Sequence, residues 1–169
     1  MKPLSLTLKN FGPYINETID FTKFEDSSLF LISGKTGSGK TTIFDGMSYA
    51  LFGESSGKLR LGKEMRSTFA DPSEATEVTL LFKHNEFLYE LNRLPEQELF
   101  KKRGTGVRKQ SAKISLIVKD AQGKELRAYS KRREVDELIQ ELLHLNANQF
   151  AQIVLLPQGE FRTFLIAKS

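Results

Sequence analysis

Gly34-Lys35-Thr36-Gly37-Ser38-Gly39-Lys40-Thr41-Thr42 is the stretch of this 169-residue chain whose residue types and spacing can do chemistry. It fits Gly-x-x-x-x-Gly-Lys-Thr, the Walker A pattern. Glycines let the backbone curl tightly and turn several N–H groups inward, which makes a concave anion nest at the start of a helix. Lys40 brings a point charge to the β- and γ-phosphates. The Thr41 hydroxyl is placed to coordinate Mg²⁺, and Thr42 can donate to a phosphate. The expected ligand is a nucleoside triphosphate, ATP with Mg²⁺. Its expected contacts are Gly34, Thr36, Gly37, Ser38, Gly39, Lys40, Thr41 and Thr42.

Binding is not hydrolysis. Hydrolysis also needs an acidic residue at the end of a second core strand and a group that positions water. Ile114-Ser115-Leu116-Ile117-Val118-Lys119-Asp120 ends an apolar run in an aspartate. Ala121-Gln122-Gly123 follows, so a hairpin turn is the better reading of Asp120. No catalytic set is complete, and the chain reads as part of an ATPase.

The elements around the loop follow from periodicity. Leu29-Phe30-Leu31-Ile32 is a continuous apolar run, as for a strand buried on both faces. After the loop, Ile43, Phe44, Met47, Ala50 and Leu51 recur at helical spacing, and Gly53 offers a stop. Upstream, Leu4, Leu6 and Leu8 alternate with polar residues, Asn10-Phe11-Gly12-Pro13 turns, and Ile19 and Phe21 alternate again. Val78, Leu80 and Phe82 predict a hairpin with Phe87 and Tyr89; Ile114, Leu116 and Val118 predict another, closing at Leu126. Residues 54–73 read as a surface loop and 95–106 as a mobile connection. Ser130 is the expected cap of a helix over 131–145 with Val135, Leu138, Ile139, Leu142 and Leu143 on one face. Phe150, Ile153, Val154, Leu155 and Leu156 form a second buried run, followed by Pro157-Gln158-Gly159.

Composition excludes several classes. There is no cysteine, so thiolate metal sites, disulfides and cysteine nucleophiles are out. The two histidines, His84 and His144, are far apart in sequence and a poor basis for a metal cluster. No apolar stretch has the length of a membrane span and the N-terminus lacks a secretory core, so a cytoplasmic protein without a membrane partner is expected. The net charge is +4, but residues 101–133 hold twelve basic residues against only Asp120 and Glu125. Such a block suits an anionic partner, nucleic acid first, although from composition alone a solvated face that serves solubility is the plainer reading.

These residues together resemble the SbcC family, the SMC-like ATPase subunits of SbcCD nucleases. The resemblance lies in Met1-Lys2-Pro3-Leu4-Ser5-Leu6, Lys9-Asn10-Phe11-Gly12, Ile19-Asp20-Phe21, the Walker A run to Asp45, Tyr49-Ala50-Leu51-Phe52-Gly53, and Val154-Leu155-Leu156-Pro157-Gln158-Gly159-Glu160-Phe161 with Phe164-Leu165. It covers the whole chain, more loosely over 84–130. It implies an α/β P-loop NTPase of ABC/SMC type: residues 1–169 as the N-terminal half of an ATPase head, with antiparallel β hairpins beside a P-loop core. A coiled coil and a C-terminal half bearing the signature and Walker B motifs would lie elsewhere. It further implies head-to-head dimerisation on ATP, control of an SbcD-type nuclease, and DNA repair or recombination as the setting.

Residue by residue, Gln158 resembles the Q-loop glutamine that contacts Mg²⁺, against a plain Pro-Gln-Gly turn. Lys9 lies where the family contacts nucleotide with a basic side chain, against a solvated lysine. Phe69 and Asp71, in Phe69-Ala70-Asp71-Pro72, resemble a loop reaching the adenine and ribose side, against a simple turn. A self-contained P-loop kinase, a transporter ATPase domain and a non-hydrolysing binding module are the rival readings.

Overall fold

The computed structural model describes residues 1–24, 32–35, 37–54 and 62–154. Thr36, the greater part of the expected strand at 29–32, and Gln158 with its flanks lie outside the described residues.

Alternation of apolar and polar residues produces a six-stranded antiparallel sheet. Its strands are β1 (Lys2–Phe11), β2 (Tyr14–Asp20), β3 (Glu77–His84), β4 (Phe87–Leu94), β7 (Lys113–Lys119) and β8 (Glu125–Tyr129), in the order β2-β1-β3-β4-β7-β8. Register aligns Leu6 with Leu80, Leu80 with Leu91 and Leu91 with Leu116, so four fully buried leucines form one row across the sheet. Phe82 and Tyr89 pair across the next strands with rings stacked at 5.1 Å. Helix α1 (Lys40–Phe52) lies on this apolar face, against β1, β3 and β4. Ile43, Met47, Tyr49, Ala50 and Leu51 are buried there. Helix α2 (Arg132–Leu143) packs on β7 and α1 through Val135 and Ile139, with Leu138, Leu142 and Leu143 half-buried beside them.

The hairpins predicted at β1–β2, β3–β4 and β7–β8 are present, as is α1 with Gly53 in the left-handed conformation at its end. Asp120 is a turn residue: its Oδ1 accepts from the backbone N–H groups of Gln122 and Lys124 at 3.0 and 2.8 Å.

Four expectations need correction. The 95–106 connection contains a strand, β5 (Gln97–Phe100), which pairs with β6 (Val107–Gln110). Gln97 and Leu99 are buried and Glu98 and Phe100 exposed, a strand pattern only four residues long. Residues 54–73 are not wholly a surface loop, because a short 3-10 turn at Gly62–Met65 buries Met65, and Ser67 is buried after it. Lys131, not Ser130, precedes α2, and no side chain caps that helix. The apolar run near Phe150 begins as a helix, α3 (Ala147–Val154), in contact with α1. Asn146 and Gln149 cap it reciprocally: each side-chain oxygen accepts from the other's backbone N–H at 2.9 Å.

Candidate functional site: the P-loop and its neighbours

The N-terminus of α1 offers the free donors and positive dipole end that suit an anion. Gly39 precedes it with φ 85°, a conformation that favours glycine, and no side chain caps the helix. The first N–H groups of any α-helix lack intrahelical partners. Here Ile43 N–H, which donates to Gly39 O, marks where the helical ladder starts. The amides of Lys40, Thr41 and Thr42 lie ahead of it, at the positive end of the helix dipole. Lys40 Nζ folds back to donate to the Gly34 and Lys35 carbonyls at 2.8 and 2.7 Å and to Ser38 Oγ at 3.5 Å. One cation thus clasps both ends of the loop. Ser38 N–H adds a bond to Lys35 O at 3.1 Å. Gly37, with φ 83°, has open space where a side chain would stand. Thr41 is exposed in the first turn of the helix.

The turn between β1 and β2 braces this loop, and sequence reasoning missed it. Tyr14 Oη donates to Gly39 O at 3.2 Å. A Cβ on Gly39 would stand 2.7 Å from that hydroxyl and 2.9 Å from Pro13 Cγ, so only glycine fits under the turn. Gly12 approaches Thr42 as closely, its own absent Cβ falling 2.5 Å from Thr42 Cγ2. Burial, then Glu17, raises the Tyr14 pKa, which keeps its proton available for this bond.

Lys9 lies in β1, and Phe69 and Asp71 lie on the loop that is tied to the end of that strand through Asn10, whose carbonyl accepts from Ser67 N–H at 2.9 Å. Lys9 Nζ lies 3.7 Å from Glu74 Oε2. Phe69 is 76% exposed on the 66–76 loop. Asp71 Oδ1 accepts from both the N–H and the hydroxyl of Ser73 at 2.8 Å. Those two bonds hold its carboxyl below the usual range, with Lys102 and Arg66 adding to the effect. The loop is pinned from inside by Arg66. Its Nη1 donates to Glu74 O at 2.7 Å, and to Thr76 Oγ1 and Gln97 Oε1 at 3.3 Å; its Nη2 donates to Asp71 O at 2.8 Å. Buried Asn10, with φ 51°, ties the strand end to Ala75 O at 2.9 Å. Gly12 N–H donates to Met65 O at 2.7 Å, so one turn touches both the P-loop helix and this loop. Asn10 carried a signal, since Asn tolerates left-handed turns; Arg66, one charge in a charged stretch, carried none.

His84 and His144 are closer in space than in sequence. Burial lowers the His84 pKa first, and the N-terminal amine and His144 lower it further. Among the described residues no group of three or more metal-ligating side chains comes together, and no helix is long and apolar enough to cross a membrane.

Known proteins resemble this chain closely. Residues 5–169 match the AAA domain family. The chain is 48% identical over 169 residues to the SbcC subunit of the SbcCD nuclease from Lactococcus lactis subsp. lactis strain IL1403, covering 98% of this chain and 16% of that protein. It is 45% identical over 170 residues to the SbcC subunit from Vibrio cholerae serotype O1, covering 100% of this chain and 17% of the relative. With the SbcC subunit from Staphylococcus aureus strain JH9 it shares 47% over 169 residues, covering 100% and 16% respectively. A solved chain described as "Structural biochemistry of ATP-driven dimerization and DNA stimulated activation of SMC ATPases" overlays at TM-score 0.47 and 17% identity, covering 98% of this chain and 91% of that one. The chain thus spans about a sixth of the length of the curated relatives it matches. It belongs to the AAA domain family, and its similarity to SbcC proteins runs along essentially its whole length.

Proposed function

We propose that this chain is the ATP-binding half of an SMC-like ATPase head, acting with an SbcD-type nuclease on DNA. The observation that carries this reading is the uncapped start of α1 under a loop clasped by Lys40, in a chain 45–48% identical to SbcC proteins. Gly34, Thr36, Gly37, Ser38 and Gly39 wrap the phosphates, Lys40 meets the β- and γ-groups, and Thr42 donates to an oxygen. Mg²⁺ belongs to Thr41 and, from the distal segment, Gln158; bound there it neutralises phosphate charge. Lys9, Phe69 and Asp71 flank the nucleoside side. Residues 1–169 form the N-terminal half of the head, and the coiled coil and C-terminal half complete it. Two heads close around two ATP molecules and open on hydrolysis, and closure governs DNA access to the nuclease, in the cytoplasm. A ligand that binds the closed state better shifts the population toward it.

The basic segment supports a sequence-independent grip on DNA. Six of its twelve cations are already in ion pairs: Lys102 with Glu74, Lys109 with Glu96, Lys119 with Glu90, Lys131 with Glu134, Arg132 with Asp136 and Arg133 with Glu137. Lys101, Arg103 and Arg108, all exposed around the β5–β6 hairpin, have no ion pair among the described residues. They are the best candidates for phosphate contacts. Changing these three to Ala in the ATP-closed full-length assembly is expected to flatten the dependence of log K on log salt by roughly 2 to 3. Affinity and slope that stay unchanged would remove this hairpin from the DNA surface.

A further inference from the structure

At the opposite end of α1 from the P-loop lies a cavity of about 260 Å³, between Gly53, the β4–β5 turn, the start of β7 and the start of α2. Arg93 lines it. In the sheet register Arg93 stands in the row of Leu8, Val78 and Ile114, an inward position otherwise given to apolar side chains. Only 5% of its side chain is exposed. Nε donates to Ala50 O at 2.5 Å, and Nη2 to Leu51 O at 3.0 Å and Asp136 Oδ1 at 2.6 Å. Nη1 has no hydrogen-bond partner among the described residues. It stands 3.2 Å from where a Cβ on Gly53 would be, and Gly53 lines the cavity.

The charges around this space do not balance. Arg132 also lines it and shares Asp136 with Arg93, its Nε lying 3.3 Å from Oδ2. One carboxylate therefore serves two guanidiniums. Lys113 adds an ammonium with no ion pair among the described residues. Glu96 is the acid in the wall, and Lys109 already pairs with it at 3.1 Å. Two positive charges are left uncompensated around a space that Arg93 lines with an N–H donor unpaired among the described residues. Oxyanions suit such a donor set, because each oxygen can accept a charge-assisted bond. Tyr49 shares the wall, its phenol pushed up to about 12 by burial, so it remains a neutral donor. Leu94, Pro95 and Ile114 supply an apolar side.

We propose that this cavity is a second anion site, distinct from the P-loop, which takes a small phosphate monoester: the phosphate on Arg93 Nη1, Lys113 and Arg132, the organic body against Leu94, Pro95 and Ile114. Because Arg93 also holds the last carbonyls of α1, the site is one side chain away from the helix that carries the P-loop.

The test is calorimetric titration with phenyl phosphate and with inorganic phosphate. A Lys40→Ala background removes the P-loop's phosphate affinity, so the outcome does not depend on whether the P-loop takes ATP. Saturable binding is expected, tighter for phenyl phosphate because its ring reaches the apolar wall. Adding Lys113→Ala and Arg132→Ala should weaken it at least about tenfold, as expected for losing two charged donors. Both side chains lie at the surface, and circular dichroism checks that the fold survives. The same two substitutions without Lys40→Ala should leave ATP affinity unchanged. Absence of saturable binding in the Lys40→Ala chain, or equal binding with and without Lys113 and Arg132, would overturn the proposal. Inorganic phosphate binding as tightly as phenyl phosphate would overturn the monoester assignment.

Discussion

Lys40→Ala is expected to weaken ATP binding by roughly 30- to 150-fold, equivalent to about 2–3 kcal/mol for a charge-assisted contact. Two roles disappear together. In the proposed reading the ammonium meets the terminal phosphates, and in the structure it clasps Gly34 O and Lys35 O. These carbonyls compete with phosphate for the same donors, so the gain on binding is a difference between two sets of bonds. This keeps the expected effect below the gross value of an ammonium–phosphate pair. Lys40→Arg should recover little, because a planar fork does not replace a compact ammonium in a tight loop. Titration calorimetry with MgATP on the folded chain measures both. An affinity within twofold of the parent for Lys40→Ala would contradict the phosphate role.

Arg93→Ala is expected to cost about 3 kcal/mol of stability, the lower end of the range for removing one partner of a buried ion pair. The lower end follows from asymmetry across the pair. Arg93 is almost completely enclosed, whereas Asp136 is 37% exposed and stays hydrated when its partner goes. The larger loss comes from the C-terminal carbonyls of α1, since Ala50 O and Leu51 O both accept from Arg93. Burial lowers the Arg93 pKa, against the opposing pull of Asp136. Asp136→Asn should cost less, about 1–2 kcal/mol, because the helix-end bonds survive and the Asn carbonyl can still accept from Nη2, although the enclosed guanidinium loses its counter-charge. Urea unfolding followed by circular dichroism separates the two. Equal losses for Arg93→Ala and Asp136→Asn would assign the stabilisation to the ion pair and not to the helix end.

Much of this architecture was legible because burial on one side imposes a period on the sequence. Leu4-x-Leu6-x-Leu8 and Val78-x-Leu80-x-Phe82 announce strands covered on one face, and the glycine-rich loop followed by apolar residues at helical spacing announces α1, which is buried on more than one face over 46–51. Legibility failed where the periods were short or carried by polar residues. β5 offers only two inward positions, Gln97 and Leu99, before Lys101-Lys102-Arg103 ends the pattern. The start of α3 is written in the Asn146–Gln149 reciprocal cap, whereas its apolar residues read only as a buried run. Arg93 was invisible for a different reason. A charge in a strand defaults to the solvent side, and only the end of α1, whose Ala50 and Leu51 carbonyls accept from it, gives it a reason to face inward. The P-loop itself could be read from its spacing, but its brace could not. Tyr14 is an ordinary strand residue until Gly39 is found beneath its hydroxyl.

The central claim is that this chain holds one face of an ATP clamp. Its most direct test is steady-state ATP turnover by the chain alone and by the chain joined to its C-terminal half, each at saturating MgATP. The account predicts near-background turnover alone, and turnover that appears with the second half and vanishes again with Lys40→Ala. Brisk hydrolysis by the isolated chain, or none in the joined assembly, would contradict it.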